Sequence, residues 1–209
     1  MLETTREGPP VEEGVFCTSD LIDLLSVDPR LLLDIRYATP NNFTGEAVYA
    51  QARAFLQRPA AMAVSRANDY LRERGYGLII YDGYRPWSVT KKFWEVTSPD
   101  KKEFVANPAN GSRHNRGCAV DLSMIDLKTG LPVHMPTDFD EFTSRSYADY
   151  DGGTEESRKN RELLRQAMEA NQFTMYHYEW WHFDFEQWRQ YAIMDMSFDE
   201  IIGGMGTAL

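Results

Sequence analysis

Residues 112–124 read SRHNRGCAVDLSM, and from Cys118 to Met124 this stretch alternates in the way a β-strand does. One face would be apolar and the other small or polar, namely Cys118, Val120, Leu122 and Met124 against Ala119, Asp121 and Ser123. A strand here therefore buries its apolar face and presents Asp121 on the opposite one. Gly117 allows a tight turn, because glycine accepts backbone angles that other residues resist. We predict that this turn brings His114 back over the face that carries Asp121.

The flanking segments predict a mixed arrangement of helices and strands. Apolar and small residues recur at helical spacing over 59–74, residues 77–81 (GLIIY) indicate a buried strand, and 87–96 a short helix. A second long helix is expected over 154–171, with two glutamates in its first turn, and the aromatic segment 173–185 is strand-like. Since helices and strands do not alternate regularly, we predict an α+β fold, a small antiparallel sheet flanked by helices.

Length and composition are those of an ordinary globular protein. The chain has 209 residues, 43% hydrophobic and 26% charged, which favours one domain with a substantial core. Residues 1–14 are rich in Glu, Gly and Pro, so we predict a flexible tail there and a single domain over residues 15–209. Cys17 and Cys118 are too few for a disulfide framework and are predicted to be free thiols, with Cys118 buried.

Charge and hydropathy argue against several classes of partner. The net charge of −10 would repel a phosphate backbone, and the sequence has no basic run, so no nucleic acid partner is expected. No stretch approaches the ~20 apolar residues of a membrane helix, and the N-terminus lacks the pattern of a secretory signal. We therefore expect no membrane association and a cytoplasmic location, or a periplasmic one if a leader has been removed.

A second polar cluster lies in MYHYEWWHFDF, residues 175–185, where Glu179 and His182 stand three apart among aromatic residues. An offset of three brings both side chains to one cavity through a helical turn or a bulge. Burying such groups among aromatic rings is costly unless they are paired, and a metal ion supplies the pairing.

Together the two segments predict a catalytic metal site on the sheet face. Two histidines and one carboxylate, His114, Asp121 and His182, leave a tetrahedral zinc ion one open position for water. Glu179 is then a carboxylate beside the metal that can move the proton of that water. We predict one Zn²⁺ per chain and hydrolysis as the reaction.

Each feature taken alone has a plainer interpretation. A surface histidine and a satisfied carboxylate would explain His114 and Asp121 if the second segment did not exist. His177 is an alternative to His182 as the ligand, although we expect it at the surface, and His134 is expected to be exposed in a turn.

Another candidate lies in YDGYRP, residues 81–86, where Arg85 leaves the buried strand through a turn and precedes the rigid Pro86. A guanidinium held beside zinc can stabilise the oxyanion of a tetrahedral intermediate or clamp a substrate carboxylate. A structural ion pair at the surface is the alternative.

Four stretches in this order, RYATPNNFTG (36–45), YDGYRP, SRHNRGCAVDLSM and YEWWHF (178–183), resemble a known family. They are similar to the zinc D-alanyl-D-alanine dipeptidases of the vancomycin-resistance type, relatives of the zinc D,D-carboxypeptidases and of the hedgehog signalling fold, over roughly residues 35–185. The resemblance implies these roles: zinc ligands His114, Asp121 and His182, general base and acid Glu179, and Arg85 stabilising the intermediate.

The same resemblance implies a small closed pocket. Tyr37, Ser112 and Asp140 would line it, with Asp140 near the ammonium group of the substrate, although Asp138 in TDFDEF could take that place. It also implies hydrolysis of free D-Ala-D-Ala, a small dipeptide, to two D-alanines. The residues by themselves do not specify the D configuration.

Two other functions remain open from the sequence. One is a D,D-carboxypeptidase or L-Ala-D-Glu peptidase acting on peptidoglycan peptides, which would need a more open cleft. The other is a zinc-bearing binding module that has lost catalysis. Retention of Glu179 and Arg85 argues against the binding module. The sequence predicts no oligomeric state.

Overall fold

The structure, a computed structural model, describes residues 8–205. Within them the α-helices are α1 (Leu24–Val27), α2 (Arg58–Arg72), α3 (Trp87–Val96), α4 (Glu155–Glu169) and α5 (Phe198–Met205). The strands are β1 (Leu21–Asp23), β2 (Leu32–Leu33), β3 (Phe55–Gln57), β4 (Tyr76–Asp82), β5 (Ala119–Asp126), β6 (Phe173–Met175) and β7 (His182–Phe185). The α+β class is confirmed, and the strand-like segment 173–185 is a pair of strands joined by a turn.

A five-stranded sheet in the order β2-β4-β5-β7-β6 forms the centre of the protein, and β1 and β3 make a separate antiparallel pair. The ladders of β5 with β4 and β7, and of β6 with β7, are antiparallel as expected. At one edge the short strand β2 runs parallel to β4. The chain between these two strands passes through helix α2, and such a crossover returns a strand in the same direction.

Strand β5 has the two faces that its sequence predicts. Val120, Leu122 and Met124 are fully buried in the main core, whereas Asp121 points to the other side of the sheet. Helix α2 packs against β4 and α4, and α4 also packs against β6. Their buried stripes follow helical spacing, with Ala60, Ala63, Val64, Ala67 and Leu71 in α2 and Leu164, Ala167 and Met168 in α4. Helices α2 and α4 therefore occupy the core face and leave the face of Asp121 for a site.

A register shift in β4 places a second carboxylate beside Asp121. Ile80 lies opposite Leu122, but after the shift Asp82 lies opposite Asp121. The chain then turns through Gly83, where an added Cβ would lie 2.8 Å from the carbonyl oxygen of Phe55. Only glycine permits so close an approach.

The turn before β5 also forms as its sequence predicts. Residues His114–Arg116 make a single 3₁₀ turn that ends at Gly117, whose φ of 66° lies in the left-handed region. A side chain at Gly117 would collide with Leu21. The turn carries His114 over the end of β5.

Residues 1–7 of the predicted tail lie outside the described residues. Of the rest, Glu12 accepts hydrogen bonds from Arg116 Nη2 and from the backbone N–H of Ile193, at 2.5 and 2.7 Å. Glu12 is thereby held against the 3₁₀ turn His114–Arg116. Flexibility of the tail over residues 1–14 stays a prediction. In the described part of the chain, no helix combines the length and the apolar character needed to cross a membrane.

Candidate metal centre

Three candidate ligands converge at one end of the sheet. His114 comes from the 3₁₀ turn, Asp121 from β5, and His182 is the first residue of β7, directly opposite Asp121 in the ladder. His114 Nε2 lies 3.1 Å from His182 Nδ1 and 3.4 Å from Asp121 Oδ1, and His182 Nδ1 lies 3.1 Å from Asp121 Oδ1. All three side chains are buried.

Hydrogen bonds on the outer side of each imidazole fix the nitrogen that faces inwards. His114 Nδ1 donates to the carbonyl oxygen of Gly83 at 2.7 Å, and His182 Nε2 donates to Asp184 Oδ1 at 2.9 Å. A ring that is neutral, as a metal ligand must be, therefore turns its lone pair inwards. An acceptor that orients the far nitrogen of a ligating histidine is the usual surrounding of a metal site.

The donors fit a metal ion of zinc's size and preference. Asp121 Oδ1 is buried and has no hydrogen-bond partner, so with both rings neutral three lone pairs face one another. Nitrogen and oxygen ligands at ~2.0–2.2 Å from a tetrahedral zinc ion would lie about 3.4 Å apart. The observed separations of 3.1 to 3.4 Å match that geometry. Among the described residues this is the one group of three such side chains with metal-ligand spacing.

The electrostatics of the cluster also favour a cation. Burial lowers the pKa of His182, but the carboxylates of Asp184 and Asp121 outweigh burial and raise it to about 10. Burial would raise the pKa of Asp121, yet His114 and His182 hold it far below its usual range. The surroundings therefore stabilise positive charge where the three lone pairs meet.

Glu179 lies beside the cluster without belonging to it. It sits in the turn between β6 and β7, is buried, and its Oε2 is 3.8 Å from His182 Nδ1. Burial, with smaller contributions from the nearby Asp121 and Asp140, raises the pKa of Glu179 to about 8 against the opposing effect of His182. Residues three positions apart on a flat strand would face opposite sides of the sheet. Because Glu179 lies in the turn, it faces the same cavity as His182.

Arg85 approaches the same point from the turn after β4. Its Nε and Nη2 donate to Asp82 Oδ2 at 2.9 and 2.8 Å, and Nη2 is 3.6 Å from Asp121 Oδ2. Only 8% of Arg85 is exposed, so the surface ion pair considered as an alternative does not describe it.

The half-buried Asp140 and the buried Tyr37 form a pair in the same cavity. Tyr37 donates its hydroxyl to Asp140 Oδ1 at 3.0 Å, and the buried Asp140 Oδ2 has no hydrogen-bond partner. Asp140 also has φ of 61°, a conformation that non-glycine residues seldom adopt. Burial, helped by the charge of Asp121 and opposed by the Tyr37 hydroxyl, raises the pKa of Asp140 to about 7. Asp138, the other candidate in this segment, is exposed and does not line the cavity.

The cavity in front of these groups measures about 270 Å³. That is slightly below the range of ~300–1,000 Å³ typical of ligand pockets, so it suits a small molecule. Ser112 lines it, and its Oγ accepts a hydrogen bond from the backbone N–H of His114 at 3.2 Å. Aromatic rings build one wall, with Phe104 stacked on Phe142 at 5.2 Å and Phe43 edge-on to Phe93 at 5.0 Å.

The remaining residues considered from the sequence lie elsewhere. His177 is exposed and packs against Tyr147 and Tyr178, so it is not a ligand in this arrangement. His134 is exposed, and Cys118 is a buried free thiol in the core, as predicted.

Two residues of the centre were missed by the sequence analysis. Asp184 follows His182 by two positions, so strand parity alone would have placed both on one face. The stretch YDGYRP predicts only a turn around Asp82, because the register shift that turns this side chain towards Arg85 leaves no mark in the sequence.

Comparison with known proteins gives consistent matches. The family Peptidase_M15, described as D-ala-D-ala dipeptidase, matches residues 17–200, further at both ends than the stretch recognised above. The D-alanyl-D-alanine dipeptidase of Escherichia coli is 34% identical over 177 residues, 85% of this chain and 90% of the relative. That of Enterococcus faecalis is 34% identical over 168 residues, 72% of this chain and 83% of the relative. A solved vancomycin-resistance D,D-dipeptidase in complex with a D-Ala-D-Ala phosphinate analogue has 15% identity and a TM-score of 0.42, covering 92% of this chain and 72% of that one.

Proposed function

The chain belongs to the Peptidase_M15 family of zinc-dependent D-Ala-D-Ala dipeptidases, and we propose that it hydrolyses the free dipeptide D-Ala-D-Ala to two D-alanines. One observation carries this proposal: two inward-facing imidazole nitrogens and an orphaned carboxylate oxygen meet beside Glu179 and Arg85 in a small cavity. The likeness to dipeptidases, rather than the geometry, supports the D configuration.

One zinc ion per chain would be held by His114 Nε2, Asp121 Oδ1 and His182 Nδ1. Bound there, zinc supplies Lewis-acid chemistry, since it lowers the pKa of a water molecule towards ~7 and polarises a peptide carbonyl. Gly83 and Asp184 keep the two imidazoles in the required tautomers.

Glu179 takes the role of general base and then general acid. Its carboxylate lies 3.8 Å from His182 Nδ1, beside the three candidate ligands but not among them. It can therefore accept a proton from water and return it to the leaving amine.

The ammonium group of a dipeptide fits one side of the cavity. Asp140 Oδ2 is a buried acceptor without a partner, so it can receive the substrate ammonium group, and Tyr37 holds the other oxygen in place. The hydroxyl of Ser112 accepts from a backbone N–H and has its own proton to donate to the substrate.

Arg85 stabilises the negative charge that develops on the carbonyl oxygen. We expect Arg85→Ala to lower kcat on the order of 10²–10³-fold, the loss seen when one oxyanion donor is removed. Arg85→Lys should recover only part of this, since a point charge on a flexible stem does not replace a planar fork. Steady-state kinetics on D-Ala-D-Ala distinguishes stabilisation of the oxyanion from a clamp on the substrate carboxylate. The clamp would change KM alone.

The Asp140 assignment has a test of its own. Asp140→Asn should raise KM for D-Ala-D-Ala by roughly 30-fold or more, since a buried charge pair with the ammonium group is lost. Asp138→Asn, an exposed neighbour outside the cavity, is the matched control and should leave KM unchanged. Equal effects of the two changes, or an unaltered KM for Asp140→Asn, would contradict the assignment.

The proposed function as a whole is tested by release of alanine from a panel of dipeptides. Zinc-loaded protein should cleave D-Ala-D-Ala, and should cleave L,L dipeptides and amino-acetylated D-Ala-D-Ala poorly. Efficient cleavage of amino-blocked or longer peptides would instead indicate a D,D-carboxypeptidase or L-Ala-D-Glu peptidase. Zinc binding without hydrolysis of any peptide would indicate a binding module.

A further inference from the structure

The guanidinium of Arg85 is held by hydrogen bonds to Asp82 along its edge and by the aromatic rings of Phe93 and Tyr37. Its Nε and Nη2 both donate to one oxygen of Asp82, Oδ2, at 2.9 and 2.8 Å. The guanidinium carbon lies 4.8 Å from the ring centre of Phe93 and 5.3 Å from that of Tyr37. The group cannot rotate without breaking the contacts with Asp82, so the position of Asp82 determines where Arg85 points.

Asp82 is itself fixed by two further donors. Its other oxygen, Oδ1, accepts the hydroxyl of Tyr49 and the backbone N–H of Gly83, both at 2.9 Å. Asp82 is 1% exposed and Tyr49 6% exposed, so water does not replace either bond. With two donors on each oxygen the carboxylate is saturated, and within residues 8–205 Tyr49 is the one side chain that fixes it from the side opposite Arg85.

The need for this bracing follows from a competing carboxylate. Arg85 Nη2 lies 2.8 Å from Asp82 Oδ2 but only 3.6 Å from Asp121 Oδ2, a candidate metal ligand. A small rotation of Asp82 would allow the guanidinium to pair with Asp121. Arg85 would then neutralise a metal ligand instead of facing the substrate.

We propose that Tyr49 is a positioning residue for the reaction, acting through Asp82 to hold Arg85 in its working orientation. This inference rests on the proposed function. Tyr49 is absent from the described residues that line the cavity, so it acts without touching the substrate. Its ring packs against Tyr37 and Phe198, with centres 5.9 and 4.9 Å away, contacts that phenylalanine would keep.

A double-mutant cycle tests this role. In the zinc-loaded enzyme, Tyr49→Phe should lower kcat for D-Ala-D-Ala about 10-fold, with zinc content and KM little changed, because a bond to a charged group is lost and a catalytic group is misplaced. In an Arg85→Ala background the same change should have no further effect on kcat. Arg85→Lys provides a second background with more residual activity, where the effect should be reduced.

Tyr84→Phe is the matched control. Tyr84 is a buried tyrosine in the turn between Asp82 and Arg85. Its hydroxyl donates to the carbonyl oxygen of Met196 at 3.0 Å and accepts from the Met196 backbone N–H at 2.8 Å. Any effect of Tyr84→Phe on kcat should be the same with and without Arg85. An effect of Tyr49→Phe that is equally large in both backgrounds, or no effect in either, would overturn the inference. Failure of the wild-type protein to cleave D-Ala-D-Ala would overturn the proposed function instead, and with it the inference.

Discussion

Glu179→Ala should lower kcat for D-Ala-D-Ala by about 10²–10⁴-fold while zinc stays bound. The three candidate ligand atoms belong to other residues, so the metal loses no bond when Glu179 is truncated. What disappears is the group that takes the proton from water and delivers it to the leaving amine, and such catalysis contributes a factor of this size. Steady-state kinetics combined with metal analysis of the same preparation measures both quantities.

Two variants make this test specific. Glu179→Gln keeps the size and polarity of the buried side chain but cannot accept the proton, so its kcat should fall as far as that of the alanine variant. Glu186→Gln, an exposed glutamate just after β7, should leave kcat unchanged. Loss of all zinc from Glu179→Ala, together with retention of zinc by His182→Ala, would reverse the assignments of base and ligand.

Much of the candidate metal centre could be predicted from the sequence because local backbone geometry places its residues. The alternation in β5 separates Val120 and Leu122 from Asp121, and the left-handed Gly117 returns His114 over that face. Both facts follow from strand parity and glycine's backbone freedom within a dozen residues of sequence.

The parts that residue patterns without the family resemblance could not predict depend on contacts between distant segments. Tyr49 meets Asp82 across 33 positions, and Tyr37 meets Asp140 across 103. Such pairings depend on how loops pack over the sheet, and no periodicity in the sequence records them. The parallel pairing of β2 was missed for a related reason, since two residues are too short to carry an alternating pattern.

Removal of the metal should have the largest effect of all. We expect the purified protein to carry one zinc ion per chain and to lose all measurable activity when a chelator strips it, because Asp121 and the two histidines form the only such cluster among residues 8–205. Activity should return on adding zinc. Two zinc ions per chain, or activity that persists in chelator, would contradict a mononuclear centre.

Single substitutions should distinguish a residue that binds zinc directly from one that only orients a zinc ligand. His182→Ala removes a ligand nitrogen and should abolish both zinc retention and activity, whereas His177→Ala, the exposed histidine five positions earlier, should alter neither. Asp184→Asn lies between these extremes, since Asp184 only orients His182 through a bond of 2.9 Å. Its zinc affinity should fall about 10–100-fold, as is typical when the partner of a ligating histidine is replaced. Equilibrium zinc competition with a chromogenic chelator ranks the zinc affinities of the three variants. Weaker zinc binding by His177→Ala than by Asp184→Asn would refute the assignment of His182 as a ligand.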